Sequence, residues 1–244
     1  MNQNEFYNNL SDKFKKLVED NGLLNEEVKI TGRTLTTEEA IGNTERKDFP
    51  IIKGKEKLLE ADFRGAKGQA FTDMPNNFQG NLKQIVEMPL ETNFNTAVYI
   101  ATLNAVCRYL KITDKTVHCK DGEPESCASE LVEYIKNKYG NPKIALIGFQ
   151  PAMLENLAKN YKVRIVDLDS NNIGKVKYNV IVEDGSKAID NLLNWCDIVV
   201  ATGSTIANKT ITNLLLDKPT IFFGTTLAGA ASLMKLERFC PCSK

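Results

Sequence analysis

Lys143-Ile144-Ala145-Leu146-Ile147-Gly148 opens a stretch in which short apolar runs alternate with helix-forming segments as far as Lys235. These runs are apolar at successive positions, so both sides of each strand need cover, the mark of a parallel sheet between helical layers. Pro151 suits the first turn of a helix running to Asn160. Further strands are expected over 163–167, 178–182, 197–201 and 219–223, and further helices over 186–195, 204–216 and 226–235. The expected fold class is α/β, with residues 141–244 forming a doubly wound, Rossmann-like parallel sheet.

Upstream of Gly140-Asn141-Pro142 the texture is less regular. A helix is expected over 5–19, strands over 27–35 and 38–42, then a glycine-rich middle (Gly65, Gly68, Gly80) and helices over 81–86 and 94–110. Strands followed by helices suggest a smaller α+β domain over 1–115. Residues 116–140 then form a connecting segment with a bridging helix over 130–139.

The whole chain has 244 residues, 42% hydrophobic and 25% charged, which excludes wholesale disorder. Lys plus Arg number 31, equal to Asp plus Glu, so no net positive field draws in nucleic acid or an anionic membrane. No apolar run is long enough to span a bilayer, and the polar start Met1-Asn2-Gln3-Asn4-Glu5 is unlike a secretory signal. A cytoplasmic protein is expected, with its six cysteines reduced.

Open parallel sheets bind ligands beyond the carboxyl ends of their strands. After the strand at 197–201 comes Thr202-Gly203-Ser204-Thr205, with Asn208 a turn later; after 219–223 comes Gly224-Thr225-Thr226. Each puts glycine and hydroxyls where a helix would start, and a helix N-terminus favours an anion. Ser204 and Thr225 are equally residues that cap helices for purely structural reasons. Asp167, in Asp167-Leu168-Asp169, lies 19 positions after Gly148, near the ~20-residue spacing of a ribose-binding acid. The turn Gly148-Phe149-Gln150-Pro151 nevertheless lacks G-x-G-x-x-G, and Pro151 removes a donor. NAD is therefore not expected. Asp167 and Asp169 are either acids facing a smaller ligand or solvated strand ends.

Two clusters offer soft ligands. His118-Cys119 precedes Cys127 and holds the chain's single histidine; Cys240-Pro241-Cys242 lies at the tail, where residues i and i+2 of an extended chain point the same way. Against a metal role, His118 can be an ordinary loop residue and the tail a frayed end. Cys127 repeats at helical spacing with Leu131 and Ile135, as a core residue would. Cys107 and Cys196 read as structural. Asn104 is a polar intruder in an apolar helix, whose partners are either helix packing or a ligand.

Taken together, the run from Cys196 through Thr202-Gly203-Ser204-Thr205 to Asn208, Gly224-Thr225-Thr226-Leu227-Ala228-Gly229 and Arg238-Phe239-Cys240-Pro241-Cys242 resemble the family of "putative heavy-metal chelation" proteins. Gly148-Phe149-Gln150-Pro151-Ala152 and Asp167-Leu168-Asp169 fit as well. The resemblance covers residues 140–242 and, more weakly, 6–110 through Glu39-Ala40-Ile41-Gly42 and Leu103-Asn104-Ala105. It implies an enolase-N-terminal-like α+β domain before the Rossmann-like one, with a site in the cleft between them. The expected function is metal chelation or metal-cofactor handling. A soft or borderline transition metal would sit on His118, Cys119, Cys240 and Cys242. A small anionic ligand would sit near Asn104, Asp167, Asp169, Gly203, Ser204, Thr205, Asn208, Gly224, Thr225 and Thr226. The alternatives are an enzyme acting on a small anionic metabolite without metal, or a non-catalytic sensor. No Ser/His/Asp triad, P-loop or HExxH names a reaction.

Overall fold

α1 (Gln3–Asp20) begins at a reciprocal cap in which the Asn2 side chain accepts from the Glu5 N–H while the Glu5 carboxylate accepts from the Asn2 N–H. Phe6, Leu10, Phe14 and Val18 recur every four positions, so one stripe of the helix is buried. The computed structural model describes residues 2–31, 35–46, 48–53, 57–74 and 76–244. β1 (Glu27–Thr31), β2 (Lys57–Phe63), β3 (Ala66–Thr72) and β4 (Phe78–Asn81) form an antiparallel sheet in the order β3-β2-β1-β4. The strand expected over 27–35 is thus β1; its positions 32–34 lie outside the described residues.

The strand expected over 38–42 is instead a short helix, α2 (Thr37–Ile41). The Thr36 hydroxyl accepts from the Glu39 N–H at 3.2 Å and the Glu39 carboxylate accepts from the Thr36 N–H at 2.9 Å. That capping box outweighs the local alternation of polar and apolar residues. α3 (Leu82–Val86) and α4 (Asn93–Tyr109) follow. Every residue of α4 from 96 to 107 is buried, because the helix lies between the antiparallel sheet and the second half of the chain. Gly68 permits this approach: a Cβ there would stand 2.2 Å from the Ala105 nitrogen and 2.4 Å from the Ala101 oxygen.

After α5 (Glu123–Tyr139) the alternation begins: β5 (Lys143–Ile147), α6 (Pro151–Asn160), β6 (Lys162–Asp167), β7 (Val176–Lys177), β8 (Val180–Asp184), α7 (Gly185–Trp195), β9 (Ile198–Thr202), β10 (Thr220–Phe223), α8 (Ala228–Met234) and β11 (Arg238–Phe239). They form a seven-stranded sheet ordered β11-β10-β9-β5-β6-β8-β7, parallel except for the edge strand β7. Ile144, Leu146 and Val200 face α5 and α6, whereas Ala145, Ile147, Val199 and Ala201 face α4 and α7. The core is therefore shared: one cluster runs from α1 through α4 to the second face of this sheet.

One expected helix does not form. Residues 204–216 hold two 3₁₀ segments, Gly203–Ile206 and Thr210–Leu214, separated at Lys209, whose φ of 64° breaks a right-handed helix.

Candidate functional site

β5 and β9 lie side by side, yet the chain leaves β5 toward β6 and leaves β9 toward β10, on opposite sides. Loops therefore diverge beyond their carboxyl ends, opening a crevice where ligands of such sheets bind. A cavity of about 670 Å³ occupies this place. Gly148, Asp167, Thr202–Thr205, Asn208 and Gly224 line it from the sheet, and Phe49, Ile51, Phe71 and Asp73 from the first half. Its volume falls in the range of small-molecule and cofactor sites.

Gly148 leaves β5 at φ 87°, and a Cβ there would stand 2.6 Å from Thr202 Cγ2, so only glycine lets the two strand ends sit together. Asp167 lines the cavity, but its carboxylate is committed to the fold. Oδ1 accepts from the Leu168 and Asp169 N–H groups at 2.6 and 2.9 Å; Oδ2 accepts from Phe149 N–H at 3.0 Å and Asn172 Nδ2 at 3.1 Å. Four donors fill a carboxylate's capacity, so Asp167 shapes the β5–α6 turn. Asp169 also lines the cavity and caps Asn171 at 2.9 Å.

Neither glycine-hydroxyl loop is the helix start that the sequence suggested. Gly203–Ile206 is a single 3₁₀ turn whose cap is Thr202, its hydroxyl accepting from the Ser204 N–H at 3.4 Å. Ser204 Oγ lies 3.0 Å from that hydroxyl, and Thr205 Oγ1 donates to the Thr202 carbonyl at 2.8 Å. α8 begins only at Ala228, after the Gly224–Thr226 loop, and has seven residues. A macrodipole argument thus has no long helix to draw on. What remains is a wall of hydroxyls and one amide: Thr202, Ser204, Thr205, Asn208 and Thr226 all border the cavity.

Asn104 and Thr225 are absent from that wall. Asn104 is buried and saturated: Nδ2 donates to the Gln69, Thr225 and Thr226 carbonyls at 2.9, 3.2 and 3.0 Å, and Oδ1 accepts from Gly229 N–H at 2.7 Å. It pins β3 and α4 to the loop after β10, so helix packing supplies its partners. Thr225 is buried with its hydroxyl unpaired among the described residues. Thr226 Oγ1 accepts from the Phe71 N–H at 3.1 Å, a second tie between the halves.

Part of the lining is soft: His118, Cys119, Cys127 and Cys240 all border the cavity. The tail is not frayed: Val117 N–H donates to the Lys244 carbonyl at 2.7 Å and Lys244 N–H to the Val117 carbonyl at 2.9 Å. This ladder carries Cys240 and Cys242 back against the Cys119 loop. Interaction with Cys240, then burial, pushes the Cys127 thiol up. Interaction with Cys127 lowers the Cys240 thiol against its burial, helped by Arg238, Ser243 and His118. Burial raises Cys119 and Cys242 and lowers His118. His118 Nδ1 lies 2.6 Å from the Cys119 carbonyl oxygen.

Cys127 is the core residue its helical spacing suggests, and it also lines the cavity. Arg238, which no sequence pattern marks, belongs here as well. Its guanidinium donates to the Gly224 carbonyl at 2.8 Å and the Lys115 carbonyl at 2.7 Å and reaches Cys240, linking the hydroxyl loop to the thiols. By contrast, Cys107 is buried within α4, its thiol pushed up to about 12 by burial, and Cys196 packs near Lys218 at the base of β9.

By donor type this set suits a thiophilic metal: sulfurs plus one imidazole. Within it Cys119, Cys127 and Cys242 titrate above the usual thiol range and Cys240 below it. Among the described residues no group of three or more His, Cys, Asp or Glu side chains already converges on one metal position. Fit in kind and in neighbourhood is therefore present, whereas ligation would need side-chain rotation and loss of thiol protons.

No curated protein matches the chain. Its fold is similar to that of a protein of unknown function from Pyrococcus horikoshii, with 17% identity, TM-score 0.52, and coverage of 89% of this chain and 79% of that one. A protein of unknown function from Desulfitobacterium hafniense matches at 16% identity and TM-score 0.47 over 73% of this chain and 72% of that one. Among the described residues no helix is long and apolar enough to cross a membrane. The sequence match falls on α5 through α8, the part that supplies the sheet and both hydroxyl loops: residues 130–233 match the model of the family described as "Putative heavy-metal chelation".

Proposed function

We propose that the protein chelates a soft or borderline metal ion together with a small anionic organic molecule, both held in the cavity at the β5/β9 crevice. One observation carries this reading: thiols, an imidazole and the hydroxyl loops all line a single cavity. The thiols would supply thiolate ligands, and the loops hydrogen-bond donors for an anionic group. Phe49, Ile51, Phe71 and Phe149 offer apolar wall for the organic part. His118, whose pKa burial lowers, lines the same cavity.

The test is native mass spectrometry with elemental analysis of untagged protein purified without oxygen. The expected result is a metal-bearing chain with additional organic mass, and loss of the organic mass alone in Ser204→Ala/Asn208→Ala. Protein that carries neither, and takes up neither Zn(II) nor a co-purified anion on incubation, overturns the proposal. A second reading, an anionic metabolite bound without metal, is favoured by the absence of converged ligands among the described residues. It predicts organic mass with no metal.

A further inference from the structure

We infer that residues 48–52 are a lid over the crevice, latched to the second half of the chain by Arg46, and that a ligand reaches the cavity when this latch is released. The inference concerns access and holds whatever fills the cavity. The mouth of a crevice in a parallel sheet lies beyond the carboxyl ends of its strands. Phe49 and Ile51 line the same cavity as Ile147, Val166, Thr202 and Phe223 at the ends of β5, β6, β9 and β10, so they stand across that mouth. Their apolar packing nevertheless belongs to the first half. With Ala40, Ile41 and Leu58 they form a small cluster separate from the two main cores, and among the described residues no side chain of the second half joins it. The segment is also locally compact: the Ile52 N–H donates to the Phe49 carbonyl at 3.0 Å.

What ties this segment across the gap is polar. Arg46 Nη1 and Nη2 donate to Glu155 Oε2 on α6, both at 2.8 Å. Nη2 also donates to the Tyr178 hydroxyl, which in turn donates to Asp48. The guanidinium stands 5.5 Å from the Tyr178 ring centroid, and its Nε lies 3.1 Å from Asp48 Oδ1 and 3.9 Å from Glu125 Oε1 on α5. Before Arg46, the Asn43 N–H donates to Asp121 Oδ1 at 2.8 Å and the Asp121 N–H to the Ile41 carbonyl at 2.9 Å, which fixes the hinge end to the Cys119 loop. A segment whose apolar cluster stays on one side, and whose ties to the other side are few and directional, opens at lower cost than a core element. Arg46 alone meets Glu155, Tyr178, Asp48 and Glu125, so its release frees the lid in one step, as gating of an enclosed site requires.

Thiol labelling reads the opening. Cys119, Cys127 and Cys240 are buried and line the cavity, whereas Cys107 and Cys196 are buried in the core around α4 and do not border it. The reduced, chelator-treated chain is exposed to methyl methanethiosulfonate, and modification at each cysteine is timed by peptide mass mapping. In Arg46→Met the three cavity thiols should be modified about tenfold faster than in wild type or more, the change in opening equilibrium expected when a charge-assisted hydrogen bond is lost. Tyr178→Phe, which removes a single hydroxyl, should accelerate the same three thiols by a smaller factor. Arg46→Lys, which keeps the charge without the paired bonds, should fall between wild type and Arg46→Met. Cys107 and Cys196 should keep their wild-type rates throughout. Unchanged rates at the cavity thiols in both Arg46→Met and Tyr178→Phe would overturn the inference. So would equal acceleration at Cys107 and Cys196, which reports opening of the whole molecule, or wild-type cavity thiols that react as fast as a free small thiol.

Discussion

Gly148 and Asn104 show how single residues set this site without touching a ligand. At φ 87° and with Thr202 Cγ2 2.6 Å from any added Cβ, Gly148 tolerates no side chain. Gly148→Ala should cost about 1–3 kcal/mol, read by chemical denaturation; an unchanged midpoint would mean the strand ends can move apart. Asn104 carries three donated bonds and one accepted bond across the two halves. Asn104→Leu keeps the volume but strands those groups, at about 1–3 kcal/mol for each one left dry. A loss within about 0.5 kcal/mol, typical of a surface change, would contradict the pinning role. The sequence marked Asn104 as an anomaly, but it could not distinguish a ligand from a carbonyl as its partner. It likewise marked Asp167 by spacing, while the four donors that saturate it come from a turn visible only in three dimensions.

At the scale of elements, the segment before the first 3₁₀ turn, Pro50–Lys53, is clamped to the second half of the chain. Arg46 Nη1 and Nη2 each lie 2.8 Å from Glu155 Oε2 on α6, its Nε donates to Asp48 Oδ1 at 3.1 Å, and the Tyr178 hydroxyl donates to Asp48. Burial works against the Asp48 charge, but the hydrogen bonds from Tyr178 and Arg46 and the Arg46 charge prevail and lower its pKa. A lowered folded-state pKa adds stability above the unfolded value of about 3.9, and this is lost as pH falls through the folded value. Wild type should therefore exceed Asp48→Asn in stability at neutral pH, with the gap closing only below about pH 4. Thermal melts from pH 7 to 2 check this; a gap that widens on acidification would refute it. Legibility also differed by element. Strands β5, β6, β8, β9 and β10 announced themselves as apolar runs. β2, β3 and β4 did not, because Gly65, Gly68 and Gly80 read as loop, although Gly68 is there to admit α4. The Thr36-x-x-Glu39 box was a readable signal for α2, overridden in reading by short-range alternation.

For the molecule as a whole, the β5/β9 reversal and the shared core around α4 create a single cavity, and the returning tail brings Cys240 into its lining. The general position of that cavity followed from the alternating pattern of the second half. The return of the tail to the Cys119 loop did not, because it depends on a backbone pairing between residues 117 and 244 that no local pattern encodes. The most direct measurement is an anomalous difference map at the zinc edge from a crystal of the anaerobically prepared, Zn(II)-loaded protein. The account predicts one strong peak in the cavity beside His118, Cys119, Cys127 and Cys240, with organic density near it against the Thr202–Asn208 loop. A peak elsewhere on the molecule, or no peak beside the thiols in fully loaded crystals, would contradict it.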